Sequence, residues 1–286
     1  MARSRVLKSR FGFGCAAVAL MLSLGQPAAA QKAAASSPTE ARTVTLLPFE
    51  KSGGKHTQVD EIVLQPGDKL ALQGYPEERL YYLVDGRGIL SVYDEIGKGD
   101  TYVIRPDISL YLTPGLKHEI LNTGDSPLRL VAFRVTGGIV PEDTPDGVAS
   151  WPTVAKPGVT VDKPAVGTGF WITHVFDERS NASVTEGQNL QVRAMRLRRA
   201  QKFATAEILI LGPHAETRPH IHNDADETFY VLMGQGNFVY DGKRTPFKAG
   251  STISFPVNGV RNIENTGEVP LVYICINTLV DAGAVK

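Results

Sequence analysis

Two histidines and a glutamate, His220, His222 and Glu227, have the spacing of a metal site. Side chains alternate along a β-strand, so two imidazoles separated by one residue would lie on the same face of an extended segment. Residues 223–226 form a polar turn, which allows a carboxylate on the next strand to return to the same point. Two imidazoles and a carboxylate bind divalent transition metals and leave coordination positions open. The spacing therefore predicts a metal site, with a hydrogen-bonded relic cluster as the alternative.

The rest of the chain must position these residues, and its pattern is that of β-structure. From residue 43 onward, short apolar runs such as 81–84 and 229–233 alternate with Gly, Pro, Asn and Asp. Many of the runs are rich in β-branched and aromatic residues, as strands are, and no long segment follows the helical period. We therefore predict an all-β protein built as a sandwich or barrel.

The first thirty residues have the pattern of an export signal. A basic start is followed by an apolar run over 11–24 and by Ala28, Ala29 and Ala30. This order predicts a secretory signal peptide over 1–30, then a disordered tether over 31–42, with an N-terminal membrane anchor as the alternative. We expect a periplasmic or secreted protein that keeps no stable membrane span after cleavage.

The net charge limits the class of binding partner, and the cysteine content bears on disulfide bonds. The chain has 30 Lys and Arg against 30 Asp and Glu, and cleavage after residue 30 would remove four basic and no acidic residues, leaving a net charge near −4. This balance argues against nucleic acid or an anionic membrane as a partner. Cys275 would be the one cysteine left, in an apolar run that indicates a buried strand without an intramolecular disulfide.

An internal repeat divides the chain in two. Residues 122–128, Asn-Thr-Gly-Asp-Ser-Pro-Leu, are mirrored by residues 265–271, Asn-Thr-Gly-Glu-Val-Pro-Leu. A repeat of roughly 145 residues has the length of one duplicated domain. Residues 137–169 carry several Pro and Gly and are predicted to be a linker. We therefore predict one domain over 43–136 and a second over 170–286.

The second half resembles the cupin superfamily. The run from His220 through His222 and Glu227 to Gly234 is similar to the first cupin motif, and the run from Gly250 through Pro256 to Asn265 is similar to the second. The likeness is good over 165–286 and weak over 43–136, so the chain resembles a bicupin. The family implies two tandem jelly-roll β-barrels. It also implies a metal inside a barrel, held by two His and a Glu of the first motif and by a third His of the second.

Each half departs from that pattern in a complementary way. In the second half, Arg261 stands where the resemblance implies the third His. In the first half, His118 fits that place, but Gln73 and Tyr75 stand where the two His of the first motif should be. The first half thus has too few ligands for a metal, and His118 is predicted to be a hydrogen-bonded histidine inside its barrel.

Arg261 has three possible roles. A guanidinium keeps its proton in proteins, so it cannot replace the missing ligand. Pointing inward, it could bind a carboxylate or other oxyanion of a substrate beside the metal. It could instead pair with Glu227 and abolish the metal site, or a shift in register could turn it towards solvent.

The functional hypothesis is an exported bicupin that binds one divalent metal and a small anionic organic ligand. Fe, Mn, Ni, Cu and Zn all accept imidazole with carboxylate, so the spacing selects none of them. If catalytic, the protein would be a metal-dependent cupin enzyme, an oxidoreductase of the dioxygenase type or a lyase. The alternative is a non-catalytic small-molecule binding protein with a relic metal site. Monomer and homodimer both agree with a bicupin.

Overall fold

The computed structural model describes residues 40–93, 97, 99–136, 170–174 and 203–280. These residues form β-strands with one short 3-10 turn at Phe49–Lys51, so the predicted all-β class is confirmed. No helix among them is long and apolar enough to cross a membrane. The predicted signal peptide over 1–30, residues 31–39 of the tether and the linker over 137–169 lie outside the described residues.

The first half of the chain folds as two facing antiparallel sheets. One sheet has the strand order β1-β2-β9-β4-β7-β10, and the other has the order β3-β8-β5-β6. We call strands β1 to β9 the first barrel. The strands are β1 Arg42–Leu47, β2 Thr57–Leu64, β3 Lys69–Gln73, β4 Glu78–Asp85, β5 Gly88–Tyr93, β6 Gly99–Ile104, β7 Ile108–Leu112, β8 Lys117–Asn122, β9 Leu128–Val135 and β10 Phe170–His174.

The second half repeats this arrangement. Its two sheets have the orders β11-β17-β12-β15 and β14-β13-β16, and we call strands β11 to β17 the second barrel. The strands are β11 Phe203–Leu211, β12 Ala225–Met233, β13 Gln235–Tyr240, β14 Lys243–Lys248, β15 Thr252–Phe255, β16 Arg261–Asn265 and β17 Leu271–Leu279. The two tandem jelly-roll barrels predicted from the sequence are confirmed.

The duplication is visible in matching side-chain contacts. Asn122 donates its side-chain amide to the carbonyls of Leu64 and Ser126 at 2.9 and 2.8 Å. Asn265 donates in the same way to the carbonyls of Leu211 and Val269 at 3.2 and 2.9 Å. Each amide ties the end of a strand to the turn after it, so the repeated Asn-Thr-Gly motif has one structural role in both halves.

Two predicted boundaries need correction. Strand β10, assigned to the second domain because it begins at residue 170, pairs antiparallel with β7 of the first barrel, with Phe170 opposite Leu112. The segment predicted as a disordered tether ends in ordered structure, because Glu40 forms a bridge with Lys69 and β1 begins at Arg42. Strand pairing across the chain decides both points, and a local pattern does not report it.

Three apolar clusters hold the fold together. One lies inside the first barrel, one lies inside the second, and one is made of residues from both halves. Strand β4 shows how they are supplied: Tyr81 and Leu83 enter the first-barrel cluster, whereas Leu80 and Tyr82 enter the shared one. Alternation along the strand sends successive side chains to opposite faces, so the large sheets are buried on both faces and the two barrels share a core.

Candidate metal centre

The three predicted ligands converge at the end of the second barrel. His220, His222 and Glu227 each offer one ligand atom, and these atoms all lie within 4.8 Å of one another. Two atoms bound to one transition metal at about 2.1 Å can be at most about 4.2 Å apart. Small side-chain movements would therefore bring all three into coordination, and the donor set fits a divalent transition metal.

Backbone pairing sets the positions of the two imidazoles. His220 exchanges two backbone hydrogen bonds with Arg261, at 3.0 and 2.9 Å, and so forms an isolated antiparallel bridge. The carbonyl of His222 accepts a hydrogen bond of 2.8 Å from the N–H of Asn258. Asn258 has a φ of 69°, a left-handed conformation that asparagine tolerates better than most residues. It therefore makes a left-handed turn that glycine most often makes.

The three residues of the site differ in their exposure to solvent. His220 is exposed, His222 is partly buried and Glu227 is buried. Burial lowers the pKa of His222, while the charge of Glu227 opposes that shift. The Nδ1 atom of His220 lies 2.8 Å from the carbonyl oxygen of Arg218, so Nδ1 carries the proton and Nε2 is free to act as a ligand. The lowered pKa favours the neutral form of His222 that metal binding requires, and the hydrogen bond to Arg218 leaves Nε2 of His220 for the site.

Arg261 points into the barrel. Its side chain is only 2 % exposed, and its guanidinium donates from Nη1 to Glu227 Oε2 at 3.3 Å. It also donates from Nη2 to the carbonyl of Pro256 at 2.8 Å and from Nε to that of Gly259 at 3.4 Å. The solvent-facing alternative is therefore wrong, and Arg261 forms the pair with Glu227 that one of the other two alternatives predicted.

A thiol completes the surroundings of Glu227. The Sγ atom of Cys275 lies 3.2 Å from Oε1, the carboxylate oxygen that Arg261 does not hold. The cysteine is buried, as the sequence predicts for the strand in which it lies. Its contact with Glu227 has no signal in the sequence, since the two residues are 48 positions apart. The apolar neighbours of Cys275 suggested packing alone.

The first barrel has the same backbone site with different side chains. Gln73 pairs with His118 there, as His220 pairs with Arg261 in the second barrel. The N–H of Gly115 donates to the carbonyl of Tyr75 at 2.7 Å, in the way that Asn258 donates to His222. Gln73 and Tyr75 therefore occupy the places of the two imidazoles.

In the first barrel, an arginine side chain stands at the position that corresponds to Glu227 of the second barrel. Strand β4 has a bulge between Leu83 and Asp85, and β12 has the matching bulge between Val231 and Met233. Counting back from these bulges places Arg79 where the second barrel has Glu227. A guanidinium cannot act as a metal ligand, so this half lacks the acid and both imidazoles of the family pattern.

His118 belongs to a closed hydrogen-bond chain. Arg79 donates to the hydroxyl of Tyr81 at 3.2 Å, and that hydroxyl lies 3.2 Å from His118 Nε2. The Nδ1 atom of His118 lies 3.1 Å from the carbonyl oxygen of Leu116 and donates to it. Burial lowers the pKa of His118 to about 4, so the ring is neutral and its Nε2 accepts a hydrogen bond from the Tyr81 hydroxyl. The predicted hydrogen-bonded barrel histidine is confirmed.

Ion pairs fill the rest of this interior. Glu77 accepts from Arg79 and from Arg134, both at 2.6 Å. Burial raises the pKa of Glu77, but the two guanidinium charges outweigh it and hold the pKa below its usual value. The ring of Tyr75 lies against the Arg79 guanidinium, 3.0 Å from its carbon to the ring centroid, and Gln73 hydrogen-bonds the Tyr75 hydroxyl. The position of the metal site is thus occupied by the protein's own side chains.

The fold and the repeated site define the class of protein. The cupin domain family matches residues 60–134 and 207–277, together just over half of the chain. The chain belongs to the cupin family and is a bicupin.

Curated relatives match short parts of the chain. An uncharacterised protein of Methanocaldococcus jannaschii is 36% identical over 61 residues, which are 21% of this chain and 49% of that protein. An oxalate-binding protein of Thermotoga maritima is 33% identical over 66 residues, which are 23% of this chain and 54% of that protein. The chain therefore spans about half the length of the curated relatives it matches.

Solved structures of Bacillus subtilis oxalate decarboxylase share the fold. One, determined at pH 4.6, superposes with a TM-score of 0.61 at 17% identity and covers 84% of this chain and 73% of that chain. Another, from work on the Mn(II) centres of that enzyme, has a TM-score of 0.60 at 17% identity and covers 84% of this chain and 74% of that chain. At this identity the likeness concerns the fold.

Proposed function

We propose that the second barrel binds one divalent transition metal through His220, His222 and Glu227, together with a small anionic organic ligand. The observation that carries the proposal is the convergence of three ligand atoms within 4.8 Å at an end of the barrel that is exposed at His220. The metal would be Fe, Mn, Ni, Cu or Zn, since all of them accept this donor set. The Mn(II) centres of the fold relative support manganese as the first metal to test.

The ligand we propose is a small carboxylate, with oxalate as the first candidate. Arg261 adds a fixed positive charge beside the three metal ligands, and a ligand anion between the cation and the guanidinium would relieve their repulsion. The name of the Thermotoga maritima relative and the activity of the Bacillus subtilis fold relative both concern oxalate. Both support a ligand of this chemistry.

The side chains of the site would divide the work between them. His220, His222 and Glu227 would hold the metal, and when bound the metal supplies Lewis acidity that stabilises a ligand anion. Arg261 would orient a carboxylate of the ligand through its guanidinium N–H groups. Phe255, whose ring centroid lies 5.3 Å from the guanidinium carbon of Arg261, and Phe238, which packs against it, are both buried and would exclude water there. A catalytic form of this arrangement would be a metal-dependent cupin enzyme, an oxidoreductase of the dioxygenase type or a lyase.

A second candidate is a non-catalytic binding protein with a relic metal site. The ion pair between Arg261 and Glu227 favours it, because a carboxylate neutralised by a guanidinium attracts a cation less strongly. In that case the barrel would hold the small anion by Arg261 alone. The two candidates differ in whether anion binding requires metal.

Export is part of the proposal. The basic start, apolar run and alanine-rich end of residues 1–30 support a cleaved signal and a periplasmic or secreted protein. A mature net charge near −4 supports a small-molecule partner rather than nucleic acid. The shared core of the two barrels is compatible with a monomer, and a homodimer of bicupins is the other assembly we propose.

Metal analysis with ligand titration tests the proposal. Protein purified without chelators should contain about one equivalent of a transition metal, or take it up on soaking with Mn(II). Calorimetric titration with oxalate should then show binding to the metal-loaded protein and much weaker binding after removal of the metal. Less than about a tenth of an equivalent of any metal, with no uptake on soaking, would overturn metal binding. Equal oxalate affinity in the presence and absence of metal would favour the second candidate.

A further inference from the structure

We infer that Cys275 is a positioning residue for the metal-binding carboxylate: its thiol holds Glu227 Oε1, so that Arg261 engages only Oε2, the oxygen for which the metal would compete. This inference rests on the proposed metal site and assigns a role to a residue outside the three ligands. Its basis is the hydrogen bond of 3.2 Å from Cys275 Sγ to Glu227 Oε1.

Strand register brings the two side chains together. In the pairing of β12 with β17, Glu227 lies opposite Asn277 and Phe229 lies opposite Cys275. The thiol and the carboxylate are therefore diagonal neighbours across adjacent strands, where long side chains on one face can meet. Glu227 and Cys275 are 5 % and 1 % exposed, so water does not compete strongly for this contact.

A neighbouring amide favours one direction for the thiol proton. The Nδ2 atom of Asn277 donates to Cys275 Sγ at 3.8 Å. A thiol has one proton to donate, and its sulfur is a weak acceptor. With an amide directed at the sulfur, the S–H bond is oriented towards Glu227 Oε1, and the three side chains form a donor chain that ends on the carboxylate.

The first barrel lacks this chain of donors. Its β4–β9 register places Ala132 opposite Tyr81 and Arg134 opposite Arg79, so alanine and arginine stand where the second barrel has Cys275 and Asn277. The thiol thus occurs in the half that has the carboxylate Glu227. In the other half, the position of the thiol is taken by Ala132, which has no donor group.

The thiol opposes a competing arrangement of Glu227. A guanidinium and a carboxylate prefer to pair through two parallel hydrogen bonds, which would engage both oxygens of Glu227 with Arg261. Arg261 instead holds only Oε2, at 3.3 Å, while Cys275 holds Oε1. Loss of the thiol would release Oε1 towards Arg261, and the metal would then have to break a two-point ion pair.

Calorimetric Mn(II) binding to the full chain tests this role. Cys275→Ala should weaken binding about tenfold, the lower end of the range for partners that orient metal ligands. Cys275→Ser restores a donor and should stay within about threefold of the unsubstituted protein. Ile276→Val removes buried bulk from the other face of the same strand, where Ile276 joins the shared cluster, and should leave Mn(II) affinity unchanged.

A second background isolates the mechanism. In Arg261→Met protein the competing guanidinium is absent, so Cys275→Ala should have a smaller effect on Mn(II) affinity than it has beside Arg261. Thermal unfolding in a chelator checks that each variant is folded. If Cys275→Ala does not fold, Cys275→Val, which also lacks a donor, takes its place.

The outcomes separate this inference from the proposed function. If the unsubstituted protein binds no metal, the proposed function fails and the inference falls with it. If it binds Mn(II) and Cys275→Ala binds as tightly, or Cys275→Ser is weakened as much as Cys275→Ala, the metal site stands and the positioning role is wrong. Weakening by Cys275→Ala with recovery in Cys275→Ser supports the role.

Discussion

The place that holds Glu227 in the second barrel holds Arg79 in the first, and the place that holds Arg261 holds His118. Between two copies of one backbone, a guanidinium thus replaces the acid, and a neutral imidazole replaces the guanidinium. In the second barrel an acid lies with two imidazoles near the surface. In the first, ion pairs and stacked rings fill the same region. After duplication, one copy can close its interior with side chains because the other keeps the ligand set.

The largest expected effect comes from removing a metal ligand. His222→Ala should lower metal affinity by at least about a hundredfold, because it removes one of the three proposed protein ligands. It should also abolish the rise in melting temperature on adding metal, since binding stabilises only the folded state. Metal content and thermal unfolding measure both effects. His214→Ala is the control, since His214 is largely exposed and contacts Glu268. Equal loss of metal in both variants would show that His222 is not a specific ligand, and the proposed difference between the two barrels would then fail.

The ion pairs of the first barrel provide the next test. Glu77→Gln leaves Arg79 and Arg134 without their shared carboxylate, and breaking a buried pair of this kind destabilises by about 3 kcal/mol. Chemical denaturation measures this loss in the free energy of unfolding. Metal content should stay unchanged, because the three proposed ligands all lie in the second barrel. A fall in metal content in folded Glu77→Gln protein would contradict that separation.

The pH dependence of stability reports on His118. Its folded-state pKa of about 4 lies below its ordinary value of 6.5, so the unfolded chain takes up the proton first as the pH falls. The stability tied to the neutral ring is complete above pH 6.5 and is lost between pH 6.5 and 4, by about 3 kcal/mol at most. Denaturation at several pH values should show this slope, and His118→Gln should flatten it. An unchanged slope in that variant would show that His118 does not titrate as the buried network requires.

The smallest expected effect comes from making the second barrel more like its family. Arg261→His adds a third imidazole, and with it a fourth ligand, at a position where the first barrel already accommodates a histidine, and should raise metal affinity about tenfold. The same change removes the guanidinium, so oxalate should bind the metal-loaded variant more weakly. Arg261→Met separates the two effects, because it removes the charge and adds no ligand. Tighter metal binding in Arg261→Met alone would show that charge repulsion, not ligand number, limits affinity.

The parts of the site that could be predicted from the sequence follow from two local patterns, the alternation of side chains along an extended segment and the internal repeat. The meeting of His220 with His222 follows from alternation along an extended chain, and the duplicated Asn-Thr-Gly turns follow from a direct match. The inward direction of Arg261 could not follow in the same way, because it depends on the register of β16 against the segment that carries His220.

The contacts that could not be predicted from the sequence depend on pairing between strands that are far apart in the chain. The thiol contact of Cys275 with Glu227 depends on the alignment of β12 with β17, and the place of β10 depends on β7, more than fifty residues earlier. His118 was predicted to be hydrogen-bonded, but its partner Tyr81 lies on another strand and lacks a sequence signal of its own. Such contacts are selected by packing of the whole barrel, which the local pattern of one strand does not encode.

The most direct test of the contrast between the barrels is an anomalous difference map from crystals of the full chain soaked in Mn(II). We expect one strong peak per chain, within coordinating distance of His220, His222 and Glu227, and no peak near His118. No peak at the three ligands, or a peak beside His118 and Arg79, would contradict this expectation.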